Sequence, residues 1–137
     1  MSTQERKTKM REIQARLSRL RGTRYLIRQR TATAQAIGKV RQEIAGMAPA
    51  DTFLVDTARL DRLASQVADD LVDLYAELTD VEHLIQDLPA TERILLHLRY
   101  VRCLDWKSCM TELGYSETSI FRLHRQALST LAEKAFG

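Results

Sequence analysis

Aromatic residues make up only 6% of the 137-residue chain, and there are two prolines and five glycines. So few breakers, beside many Leu, Ala, Arg, Glu and Gln, exclude a turn-rich β architecture and point to long helices. The one short β-favouring run, Phe53-Leu54-Val55, is too short to carry a sheet. Two cysteines, Cys103 and Cys109, are too few for a disulfide framework and fit a reducing cytoplasm. Met1 to Met10 is polar and basic and lacks the apolar core of a secretory signal. No run approaches the roughly 18 apolar residues of a membrane span, so no membrane partner is expected. Glycine-rich phosphate loops and nucleophile elbows are missing. His83, His97, His124 and the two cysteines do not have metal-site spacing. Neither an enzyme nor a metal or other cofactor is expected.

What the chain does have is segregated charge. The formal net charge is +3, but residues 1–50 carry 12 Lys/Arg against 3 Asp/Glu, and residues 51–92 carry 2 against 11. Adjacent blocks of opposite sign suggest two elements that pair. The acidic block has a regular apolar stripe at Leu60, Leu63, Val67, Leu71, Leu74, Leu78, Val81, Ile85 and Leu88. Its steps of three and four average close to 3.5, the coiled-coil period. Pro89 disfavours helical geometry at Leu88 and should end that helix.

Met10, Ile13, Leu17 and Leu20 repeat the spacing, as do Ile37, Val40, Ile44 and Met47. Between them Arg28 to Ala36 lacks a large apolar residue, so the seam weakens and leaves room for a kink, a phase shift or a solvated bend. Gly46 and Pro49 mark the connection. The reading is a coiled-coil-like antiparallel helical hairpin over residues 1–88. Its basic helix spans about 4–46, its loop 47–56 and its acidic helix about 57–88. Its unsatisfied apolar period allows a homodimer. The simpler reading of the basic helix is a solvated face neutralised by its acidic neighbour; the sharper one is an arm that contacts phosphates.

Residues 89–137 read differently. A helix opens after Pro89 and runs to about Arg102, with Ile94, Leu95, Leu98 and Val101 as its stripe. Asp105 can cap a helix from Trp106 to Leu113, which Gly114 ends by adopting positive φ. Ser116 can cap a last helix, 117–134. Two helices joined by a short glycine turn form a helix-turn-helix, whose second helix commonly enters the DNA major groove. Ile120, Leu123, Ala127, Leu128 and Leu131 should face inward. Ser116, Glu117, Thr118, Ser119, Phe121, Arg122, Arg125 and Gln126, with Lys107 on the preceding helix, are the candidate DNA-binding residues. Arg122 suits guanine, and Thr118 or Phe121 a thymine methyl. Arg125, Arg99, Arg102 and Lys107 suit phosphates. Trp106 reads as a core or contact residue.

Leu88-Pro89 with Glu92-Arg93, Leu98-Arg99-Tyr100-Val101, Trp106, Leu113-Gly114-Tyr115-Ser116 and Arg125-Gln126-Ala127-Leu128 resemble region 4 of bacterial sigma factors. With the Arg122-Leu123-His124 run they resemble more closely the RinA/ArpU type of small phage late-gene regulators, over about residues 50–135. The resemblance implies an all-α chain with a sigma-region-4-like helix-turn-helix behind a helical hairpin. It implies a phage or prophage regulator that binds double-stranded DNA at late promoters, and contact with RNA polymerase. Met110 departs from the pattern, because a small residue usually stands four before the glycine; Cys109 beside it is smaller than the usual aliphatic. The alternatives from other classes are a small-terminase-like packaging oligomer and a polymerase-binding adaptor that does not read DNA.

Overall fold

A computed structural model describes residues 2–52 and 55–136, and among them every regular element is helical. The helices are α1 (Thr3–Ser18), α2 (Leu20–Ala45), α3 (Pro49–Thr52), α4 (Thr57–Gln86), α5 (Ala90–Leu96), α6 (Trp106–Leu113) and α7 (Glu117–Phe136). A π-helical turn, His97–Val101, continues α5. Phe53 and Leu54, in the short apolar run considered above, lie outside the described residues. The chain forms two compact units. One holds the residues up to Gly22 together with those from Leu78 onward, and the other holds Thr23–Glu77. This differs from a division at residue 88: the first helix belongs with the C-terminal helices.

The reason lies in what the N-terminal apolar residues cover. Ile13, Leu17 and Leu20 have the spacing of a coiled-coil seam. They are buried in one cluster with Val81, Ile85 and Leu88 from α4 and its end, with Leu96, Tyr100 and Val101, and with Ala127, Leu128, Leu131 and Ala132 of α7. Leu17 and Leu20 are almost fully enclosed, at 1% and 0% exposure. Burying side chains of that size contributes about 1.5–3 kcal/mol each. Ser2 starts α1 with a capping box: its hydroxyl accepts from Glu5 N at 3.1 Å, and the Glu5 carboxylate accepts from Ser2 N at 3.4 Å.

The basic stretch is therefore two helices that part at Arg19, where no glycine or proline stands. Packing of Leu17 and Leu20 into one core decides the break, and local propensity does not. Of the alternatives open over Arg28 to Ala36, a break in the helix does not occur, and α2 runs through the stretch. The Ala- and Gln-rich sequence favours helix there, and Thr33 satisfies its hydroxyl on Gln29 O at 3.1 Å.

A second cluster lies beneath α6. Leu95, Leu98, Cys109 and Ile120 are buried, ringed by half-buried Leu104, Trp106, Met110, Leu113, Tyr115 and Leu123. The π turn lets one short segment serve both clusters: Leu98 faces this one, and Tyr100 and Val101 the other. It ends with Arg102 N donating to His97 O at 2.9 Å, followed by Cys103 at φ 58°. That angle is uncommon for a residue other than glycine. The Cys103 thiol sits 3.4 Å from Tyr100 O.

Within the 23–77 unit, Arg30 pairs with Asp70 at 3.0 Å and Arg41 with Asp61 at 2.9 Å. The two pairs run in opposite sense along α2 and α4. Among the described residues of this unit, Ile27, Ile37 and Val67 are the buried apolar ones, and Leu63, a seam position by spacing, is 47% exposed. Gly46 N donates to Gln42 O at 3.2 Å as α2 ends, and Pro49 opens α3, where its missing N–H costs nothing.

Candidate nucleic-acid interface

The turn between α6 and α7 follows from its residues. Asp105 is extended at φ −70°, ψ 166°, and its carboxylate accepts from Ser108 N at 2.7 Å. The hydrogen bonds from Ser108 hold the Asp105 carboxyl below its ordinary value. Gly114 ends α6 in the left-handed region at φ 69°, ψ 31°, and the Tyr115 N–H reaches back to Met110 O at 3.0 Å. Ser116 begins α7: its oxygen accepts from Ser119 N at 3.2 Å, and its hydroxyl donates to the Ser119 hydroxyl at 3.0 Å. Ser116 and Ser119 thus hold the helix start together while remaining exposed.

From that start, Ile120, Ala127, Leu128 and Leu131 turn inward and are buried, with Leu123 half-buried. Thr118, Phe121, Arg122, Arg125 and Gln126 lie at the three- and four-residue spacing of a single helical face, and all are exposed. Glu117 is exposed in the first turn of α7. Lys107 is exposed on the first turn of α6, a different helix from the rest. Cys109, not Met110, fills the enclosed position of α6, at 0% exposure against Ile120 and Leu95. Met110 packs half-buried at the cluster's margin.

Two residues have roles their sequence neighbourhood does not suggest. Arg99 was expected on phosphate. Instead its guanidinium lies 4.7 Å from the Trp106 ring centroid and donates from Nη1 to Leu104 O at 2.9 Å, with its Nε enclosed and unpartnered. It ties the π turn to α6, and a cation stacked this way is held by the ring's electron-rich face. His124, within the Arg122-Leu123-His124 run, points inward at 8% exposure. Its Nε2 is hydrogen-bonded to the Tyr100 hydroxyl at 2.6 Å, and its ring meets Trp106 edge-on at 4.9 Å. Burial, aided by the Arg99 charge, pushes the His124 imidazole down to about 4, so the ring is neutral at pH 7. Burial also raises the Tyr100 phenol above its ordinary value. Phe121 also packs against Trp106, centroids 4.9 Å apart at 62°. Trp106 is thus a packing hub under the outer face of α7.

Beside that face runs an open cleft of about 900 Å³ between α1 and α7. Lys7 and Arg11 line it from α1, and Arg122, Arg125 and Gln126 from α7. Glu133 also lines it, held by Arg6 at 3.0 Å. Lys7, Arg11 and Gln14 recur at a spacing of four and three residues, which was the available signal for this stripe. It was obscured because the net charge of the neighbouring acidic block balances that of the basic N-terminus. A smaller hollow of about 370 Å³ lies at the glycine turn, lined by Ser116, Ser119 and Arg122 among others. Compared with known proteins, the chain matches no family model, no curated protein and no solved structure.

Proposed function

We propose that the chain is a sequence-specific, double-stranded DNA-binding transcriptional regulator in which α6, the Gly114 turn and α7 act as a helix-turn-helix. The observation that carries this reading is the exposed stripe Thr118, Phe121, Arg122, Arg125 and Gln126. It lies on a helix that is capped at its start and anchored from beneath. A helix displayed this way suits the major groove, with Arg122 able to bond guanine bidentately and Arg125 a phosphate. The resemblance to sigma region 4 and to RinA/ArpU-type regulators adds the expectation of a phage or prophage late-gene activator behind a helical hairpin. It also adds RNA polymerase as a second partner. Self-association through the 23–77 unit belongs to the same reading, favoured by its exposed Val72 and Tyr75.

Gel shifts with late-promoter fragments at two salt concentrations test the reading. Expected are a preference among fragments and affinity that falls with salt. Arg122→Ala should lower specific affinity by about 1–3 kcal/mol and non-specific affinity by less. Equal, salt-independent behaviour on every fragment would count against it. Capture of RNA polymerase without any DNA binding would favour the adaptor instead.

A further inference from the structure

We propose that the cleft between α1 and α7 seats the sugar–phosphate backbone of duplex DNA, making the N-terminal helix a second DNA-contacting element. This rests on the reading of α7 as a groove-binding helix and extends it to a helix that lies more than a hundred residues earlier in the chain.

The charge in the cleft is lopsided and available. Lys7, Arg11, Arg122 and Arg125 are all exposed. Among the described residues none of the four has a carboxylate within 4.0 Å. The one acidic lining residue, Glu133, is engaged by Arg6. Four cations on two helices face one open channel whose one acidic lining residue is already paired. Such a surface suits a polyanion, whose binding is driven by release of condensed counterions. A small free anion would instead need a few convergent, enclosed donors.

Dimensions agree with this. Packed helices lie about 8–10 Å apart, axis to axis, and the major groove is about 12 Å wide. A helix fixed beside one in the groove therefore lies over the flanking strand. Ile13 and Leu17 of α1 are buried in the same core as Leu128 and Leu131 of α7, so the two sets of cations are held in fixed register before DNA arrives.

The test uses the full chain and a labelled random-sequence duplex, with affinity followed by fluorescence anisotropy across a salt series. The double variant Lys7→Gln/Arg11→Gln should flatten the plot of log affinity against log salt by about 2. The loss should be uniform across sequences, and Lys7→Arg/Arg11→Lys should retain the slope. The control Arg28→Gln/Lys39→Gln removes equal charge from exposed positions of α2 and should change the slope little. Thermal melts verify that all variants fold. An unchanged slope in the cleft variant, or an equal fall in the control, overturns the proposal and leaves α7 as the sole contact. Tighter binding by the cleft variant overturns it by making α1 a shield over α7. Wild-type protein with no salt-dependent binding overturns this proposal and the DNA reading together.

Discussion

Among the described residues Gly114 is the one glycine at positive φ. At φ 69° a side chain is strained, and yet a Cβ there would meet nothing within 4 Å. Gly114→Ala therefore isolates the backbone term and should destabilise the fold by roughly 1–2 kcal/mol, measured as a shift in urea midpoint at constant m-value. No loss would mean the turn relaxes. His124 makes a separate, pH-dependent contribution. Its ordinary value is 6.5, and in the fold it lies at about 4. As pH falls through 6.5 the unfolded chain takes up this proton, while the folded chain does so only near 4. Stability is thus unaffected by this group above 6.5 and is lost progressively between 6.5 and about 4. In His124→Gln, which cannot titrate, that part of the acid sensitivity should vanish from a urea titration repeated across the window. An unchanged difference would mean the imidazole is not held neutral. Neither His124 nor Arg99 could be placed from sequence: His124 bonds Tyr100, 24 residues away, and Arg99 stacks on Trp106 beyond a left-handed Cys103.

Elements defined by local chemistry were legible, and elements defined by distant packing were not. Asp105, Gly114 and Ser116 each act on backbone within a few residues, so the limits of α6 and the start of α7 could be read directly. The break at Arg19 and the π turn at His97–Val101 answer to the cores beneath them, which no local pattern encodes. The periodicity of Met10, Ile13, Leu17 and Leu20 was equally clear, but a stripe does not name its partner. It faces α7 and the end of α4. That assignment has a measurable consequence. Leu17→Ala, deep in the shared cluster, should cost about 2–5 kcal/mol and destabilise the C-terminal helices along with α1. Amide exchange in α7 should quicken with that in α1; α1 loosening alone would show that the cluster is not cooperative.

At the scale of the whole chain, charge blocks predicted pairing but not all of its partners. Arg30 and Arg41 meet Asp70 and Asp61 as the blocks imply, while Arg6 meets Glu133 of the last helix. These pairs are exposed or half-buried, and exposed pairs contribute about 0–1 kcal/mol each, so they set alignment more than stability. The 23–77 unit must draw its stability from elsewhere. Three buried apolar residues among the described ones are few for helices of this length, while Tyr25, Leu26, Val40, Met47, Leu63, Val72 and Tyr75 remain exposed. Val72 and Tyr75, at 68% and 51% exposure, lie one turn apart on the same side of α4. A second copy can cover such a stripe, and its basic α2 would meet the acidic α4 of the first. Light scattering at roughly tens of micromolar, where a micromolar Kd is nearly saturated, should give the mass of a dimer. Val72→Glu/Tyr75→Glu should give a monomer that still binds random-sequence DNA, more weakly because two seats become one. A monomeric wild type would sink the dimer. A closed ring of roughly eight copies would shift the balance from regulation to the packaging oligomer.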